Sequence, residues 1–105
     1  MAQKRRRQRH ARPGVPQPEQ PVSHNPRLTE AILEIVDTQL RDGTPPETMQ
    51  TLDRLVMAGY TPEGARQLIA NVVVAEIFEV MARGEPYKQE RFIAALHRLP
   101  ILPWE

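Results

Sequence analysis

Three times the chain writes the same opening: a small side chain able to accept from the backbone, then proline. Asn25-Pro26, Thr44-Pro45-Pro46 and Thr61-Pro62 each precede apolar residues spaced at helical period, and glycines at 43, 59 and 84 stand where those stripes stop. Asn and Thr are good N-caps, and proline at the first helical position lacks only an N–H that would be unpaired anyway. Glycine past the last turn takes the left-handed conformation that closes a helix. This punctuation predicts helices over about 26–41, 46–58 and 62–83.

The stripes agree with the punctuation. Leu28, Ile32, Ile35, Val36 and Leu40 share one face of the first helix, and Met49, Leu52, Leu55 and Val56 share one face of the second. Thr44 and Glu47 have capping-box spacing. In the third helix, Leu68, Ile69, Val72, Val73, Val74, Ile77, Phe78, Val80 and Met81 cover most of the circumference, which predicts a central helix touched from several sides. The Val72–Val74 run is β-branched, but it sits between helical caps. Phe92, Ile93, Leu96 and Leu99 give a shorter fourth helix over about 87–99, and the Pro-rich end "PILPWE" is expected to dock back on the bundle. The expected fold class is all-α: a small four-helix bundle-like domain over 25–105 with a modest core and a stability near the low end of ~5–15 kcal/mol.

Residues 1–24 have little to bury. Val15 and Val22 stand among prolines at 13, 16, 18 and 21, so the segment is expected to be a disordered, basic, Pro-rich tail. Charge divides the same way. Residues 1–22 hold six cations against Glu19, net +5; residues 23–105 hold eight basic and twelve acidic residues, net −4. Lys4, Arg5, Arg6, Arg7, Arg9 and Arg12 are therefore the candidate nucleic-acid contacts. A basic start followed by prolines rather than an apolar stretch does not read as a secretory signal. No apolar run approaches the ~20 residues that span a bilayer. The absence of cysteine excludes disulfides and thiolate metal sites. A cytoplasmic protein without a membrane partner is the expectation.

Catalytic signals are weak. The only serine is Ser23, and there is no phosphate-cradling glycine loop. His10, His24 and His97 do not pair at i,i+4, whereas zinc needs three or four converging ligands. His97 sits near the end of the fourth helix, where the helix dipole favours an imidazolium. Among Glu30, Glu34, Asp37, Asp53, Glu63, Glu76, Glu79 and Glu90, the Glu30/Glu34 pair has the spacing of two ligands or a proton-transfer pair, but it equally describes a solvated face. Glu76 falls amid apolar surface and calls for a cationic partner, Arg54 or Arg91. "LDRLVMAGYTPEGARQLI" has the outline of a helix-turn-helix, with Glu63, Arg66, Gln67 and Asn71 on the second helix, a set poor in positive charge. Its "MAGY" loop also fits loosely the turn of ubiquitin-associated-type three-helix modules. The simplest reading is a helix stop followed by a helix start.

Over about residues 24–100 the chain resembles a family of small bacterial all-helical domains of unknown function. Members read Pro-x-Leu-His-x-x-x-His-x-x-Val-x-x-Gln, then Pro-Pro-Glu-Val, Arg-Leu, Gly-Tyr, His-Glu-x-x-His and Tyr-x-x-x-Arg-Tyr-x-x-Ala-Leu. The matching positions are Pro26, Leu28, Gln39, Pro45, Pro46, Glu47, Arg54, Leu55, Gly59, Tyr60, Arg91, Ala95 and Leu96. The resemblance implies an all-helical fold and suggests a metal held by two histidine pairs. Thr29, Leu33, Glu63 and Gln67 stand at those places here, so it implies that this chain has lost the metal.

The expected function is a non-enzymatic helical interaction module, with no cofactor and no metal, whose basic tail gives nonspecific affinity for nucleic acid or a ribonucleoprotein. The alternatives are a degenerate or cryptic metal-binding, even enzymatic, member of that helical family using Glu30, Glu34, Glu63 and a histidine, or a purely structural protein–protein subunit. The third and fourth helices are the expected face of a homodimer.

Overall fold

The computed structural model describes residues 25–105, which form an all-helical globule of four helices: α1 (Pro26–Asp42), α2 (Pro46–Met57), α3 (Pro62–Arg83) and α4 (Gln89–Arg98). The 1–24 tail and its six candidate contacts, Lys4, Arg5, Arg6, Arg7, Arg9 and Arg12, lie outside the described residues.

Two of the three expected caps are made. The Asn25 side chain accepts from the N–H groups of Arg27 and Leu28, and Thr61 accepts from Gly64 N–H. Gly43 and Gly84 close α1 and α3 at φ 69° and 66°. The "MAGY" loop is a Schellman closure: Gly59 N–H donates to the Val56 carbonyl at 3.0 Å and Tyr60 N–H to the Leu55 carbonyl at 3.1 Å. The turn is thus a helix stop leading directly into the next start. The expected capping box at Thr44 does not form. Pro45 takes the N-cap place, so Thr44 and Glu47 both fall one position too early, and the Thr44 hydroxyl donates to the Asp42 carbonyl instead. Peptide bonds Thr44–Pro45 and Leu99–Pro100 are cis.

α4 is shorter than its expected 87–99. Lys88 at its N-cap offers no capping side-chain bond. The entry is fixed instead by Tyr87 packing on Phe92, ring centroids 6.2 Å apart, at the spacing of a hydrophobic staple. Leu99 precedes a proline and leaves the helical region, with ψ 141°.

α3 is the central element, packing on all three other helices, while α4 touches α2 and α3 but not α1. The core gathers Ile32 and Val36 from α1, Leu55 from α2, Leu68, Ile69, Val72 and Val73 from α3, and Phe92, Leu96 and Leu99 from α4 and its exit. The expected stripe of α2 is rotated: Thr48, Thr51 and Leu55 point inward, while Met49 and Val56 are exposed. Thr48 is tolerated there because its hydroxyl donates to Gln39 Oε1 at 2.8 Å. Leu28 and Ile35 are likewise exposed, since α1 packs only on α2 and α3 and its buried seam is narrower than its apolar face.

Candidate interaction surface

No residue of α3 beyond Glu76 is buried, although the helix continues for two more turns. Ile77, Phe78 and Met81 on that stretch are exposed apolar side chains. Beside them runs an open cleft of about 660 Å³ between α3, α4 and the C-terminal tail. Ala75 and Phe78 form one wall, Ala94 and Ala95 the opposite one, and Ile101 and Trp104 close the end. The tail reaches this position because Leu99 and Leu102 pack against the core while Ile101 and Trp104 point away from it. The expectation that the tail docks is therefore met by Leu102 alone, since Pro100, Ile101, Pro103, Trp104 and Glu105 are all exposed.

One inner edge of the cleft is an ion pair. Glu76, only 7% exposed, accepts from Arg91 Nε at 2.9 Å and from the terminal guanidinium nitrogen as well. Of the two partners expected for Glu76, Arg91 is the one used. Arg54 instead donates to the Leu99 carbonyl at 2.8 Å and the Leu96 carbonyl at 3.0 Å, capping the end of α4 from α2. Burial, with a contribution from the Glu76 charge, raises the Tyr87 phenol above its ordinary value.

Three other arginines of the body, Arg66, Arg83 and Arg41, also face carboxylates. Arg66 donates to both Asp37 oxygens, at 2.7 and 2.8 Å, and to Glu63 at 3.0 Å. The hydrogen bond from Arg66 holds the Asp37 carboxyl below its usual range, and Asp37 in turn raises Arg66. Arg83 pairs with Glu79, and Arg41 lies 3.7 Å from Asp42. Arg27, Lys88 and Arg98 make no ion pair among the described residues.

This disposition bears on each sequence candidate. The helix-turn-helix face is occupied internally, since Arg66 and Glu63 pair and Asn71, buried, donates to the Gln67 carbonyl. Glu30, Glu34, Glu63 and His97 do not assemble: among the described residues no three His, Cys, Asp or Glu side chains come together as a metal site. Leu33, at one of the places where the resembled family carries histidine, packs against the core. His97 is exposed in the last turn of α4. No described helix is long and apolar enough to cross a membrane. The cleft itself escaped sequence reasoning. Its one sequence signal is that the apolar residues of α3 continue past the length its neighbours can cover.

Comparison with known proteins gives no match to any family model, curated protein or solved structure.

Proposed function

We propose that the chain is a non-enzymatic interaction module, in which the helical body docks on a protein partner through the α3–α4 face while the basic arm attracts nucleic acid or a ribonucleoprotein without sequence readout. The observation that carries the nucleic-acid half is the division of charge. Six cations in the first twelve residues precede a body of net −4. That body commits Arg54, Arg66, Arg83 and Arg91 to its own carbonyls and carboxylates, so the arm is the main source of positive charge for a polyanion. The partner half is supported by the uncovered apolar side chains beside the cleft. Under this reading the protein works in the cytoplasm, where phosphate polyanions are at hand.

The test is a salt titration of RNA and DNA binding by the full chain and by a variant carrying Arg5→Gln, Arg6→Gln, Arg7→Gln and Arg9→Gln. Each lost phosphate contact lowers the slope of log K against log salt by about 0.7 on a single strand, so the variant loses roughly 3 in slope. Equal binding by the two proteins refutes the role given to the arm.

A further inference from the structure

We infer that the α3–α4 face is closed by a second copy of this chain, related by a two-fold axis. The inference rests on reading that face as the docking surface and names its occupant. Ile77, Phe78, Met81, Ile101 and Trp104 are between 37% and 72% exposed. With about 150–250 Å² available on a large aromatic side chain and somewhat less on an aliphatic one, the five together expose roughly 500 Å². A patch of that size is at the upper end of what a monomer carries. Two copies facing each other bury about 1,000 Å² from these side chains alone, the threshold of a specific interface, and the surrounding rim adds more.

Charge selects the same occupant. A two-fold contact sets a surface against itself, so a rim of one sign repels its own copy. This rim carries both signs: Glu76 and Glu79 are each held by an arginine, and Arg98 stands beside them. Among the described residues Arg98 alone of the cleft's arginines is without an ion pair, a poor match to a polyanion or a strongly acidic peptide. The apolar floor suits another apolar surface. Size favours pairing as well, because a domain of about 80 residues has a modest core and gains most from covering apolar surface by association.

The test is the mass of the full-length chain by sedimentation equilibrium from about 1 µM to 1 mM. The expected result is a shift from 12.0 kDa to twice that value. Phe78→Glu and Trp104→Glu are each expected to weaken self-association at least tenfold. Both positions are already solvent-exposed, so the circular-dichroism spectrum and thermal midpoint of the monomer should hold. As a second readout, the chain has no cysteine. Met81→Cys therefore introduces a single thiol on the proposed face, which is expected to cross-link two copies on mild oxidation, whereas Met57→Cys on α2 is not. A chain that stays at 12.0 kDa up to 1 mM overturns the inference, whatever else it binds. So does a dimer unaffected by both glutamate variants. The arm-neutralised protein should dimerise normally. A monomer that keeps the arm-dependent salt slope therefore refutes the second copy alone, and a dimer without that slope refutes the nucleic-acid reading alone.

Discussion

Replacing Arg54 by methionine tests how the end of α4 is tied to the rest of the bundle. The guanidinium forks onto two carbonyls where α4 ends, Leu99 at 2.8 Å and Leu96 at 3.0 Å, the latter also accepting from Leu99 N–H at 3.2 Å. A hydrogen bond to a charged group contributes about 1.5–3 kcal/mol when well sheltered. Arg54 is an exposed residue, so water replaces part of what the mutation removes and the lower end applies. Loss of a cation from a helix C-terminus adds about 0.3–1 kcal/mol. Arg54→Met is thus expected to cost about 2 kcal/mol in all. In urea unfolding, with m near 1 kcal/mol/M for a domain this small, the midpoint falls by about 2 M at unchanged m. The thermal midpoint falls by about 10 °C. Arg54→Lys keeps the charge but reaches one carbonyl rather than two, and recovers about half of the loss. Amide exchange of α4 should accelerate before that of α1, which α4 does not touch. A methionine variant within about 0.5 M of the parent refutes the reasoning, and indistinguishable Lys and Met variants refute the forked geometry.

Further expectations concern the caps, the core and pH. Gly84→Ala and Gly43→Ala should each cost about 1 kcal/mol in thermal unfolding; nothing lies within 4 Å of the added methyl at either place, so the whole cost is that of a left-handed residue with a side chain. Phe92→Ala removes a fully buried ring from the α4 side of the core and should cost about 3–5 kcal/mol, enough to leave the chain largely unfolded by circular dichroism. Asp37 is acidified in the folded protein by its hydrogen bond from Arg66, so its contribution is complete above the unfolded carboxylate pKa and is lost as pH falls through the lower folded value. Urea midpoints of the parent should accordingly fall faster than those of Asp37→Asn below about pH 4, and parallel curves would show that this pair does not matter.

What could be read from sequence was what neighbouring residues decide. Asn25, Thr61, Gly43 and Gly84 act within three or four positions of themselves, and each does what its type dictates. The Thr44 cap failed because two consecutive prolines allow two frames, and the frame used puts Pro45 at the boundary. The inward turn of Thr48 depends on Gln39 nine residues away, and the use of Arg54 on carbonyls 42 and 45 residues away; no local pattern encodes either. Glu76 lay between. Its place in an apolar surface announced a buried charge, but the choice of Arg91 over Arg54 came from the packing of α4. The cleft is the least legible feature, because it requires the path of the tail after Leu99 as well as the overhang of α3.

That overhang separates two kinds of constraint along one helix. Up to Glu76, nine of the fifteen residues of α3 are buried, and the sequence there is largely answerable to folding. From Ile77 onward no residue is buried and only Glu79 and Val80 are half-buried, so most of that surface can be rewritten, for a different occupant or for none, while the bundle beneath it stays as it is. On the reading proposed above, a short domain thereby keeps a region in which recognition can drift at small cost to the fold.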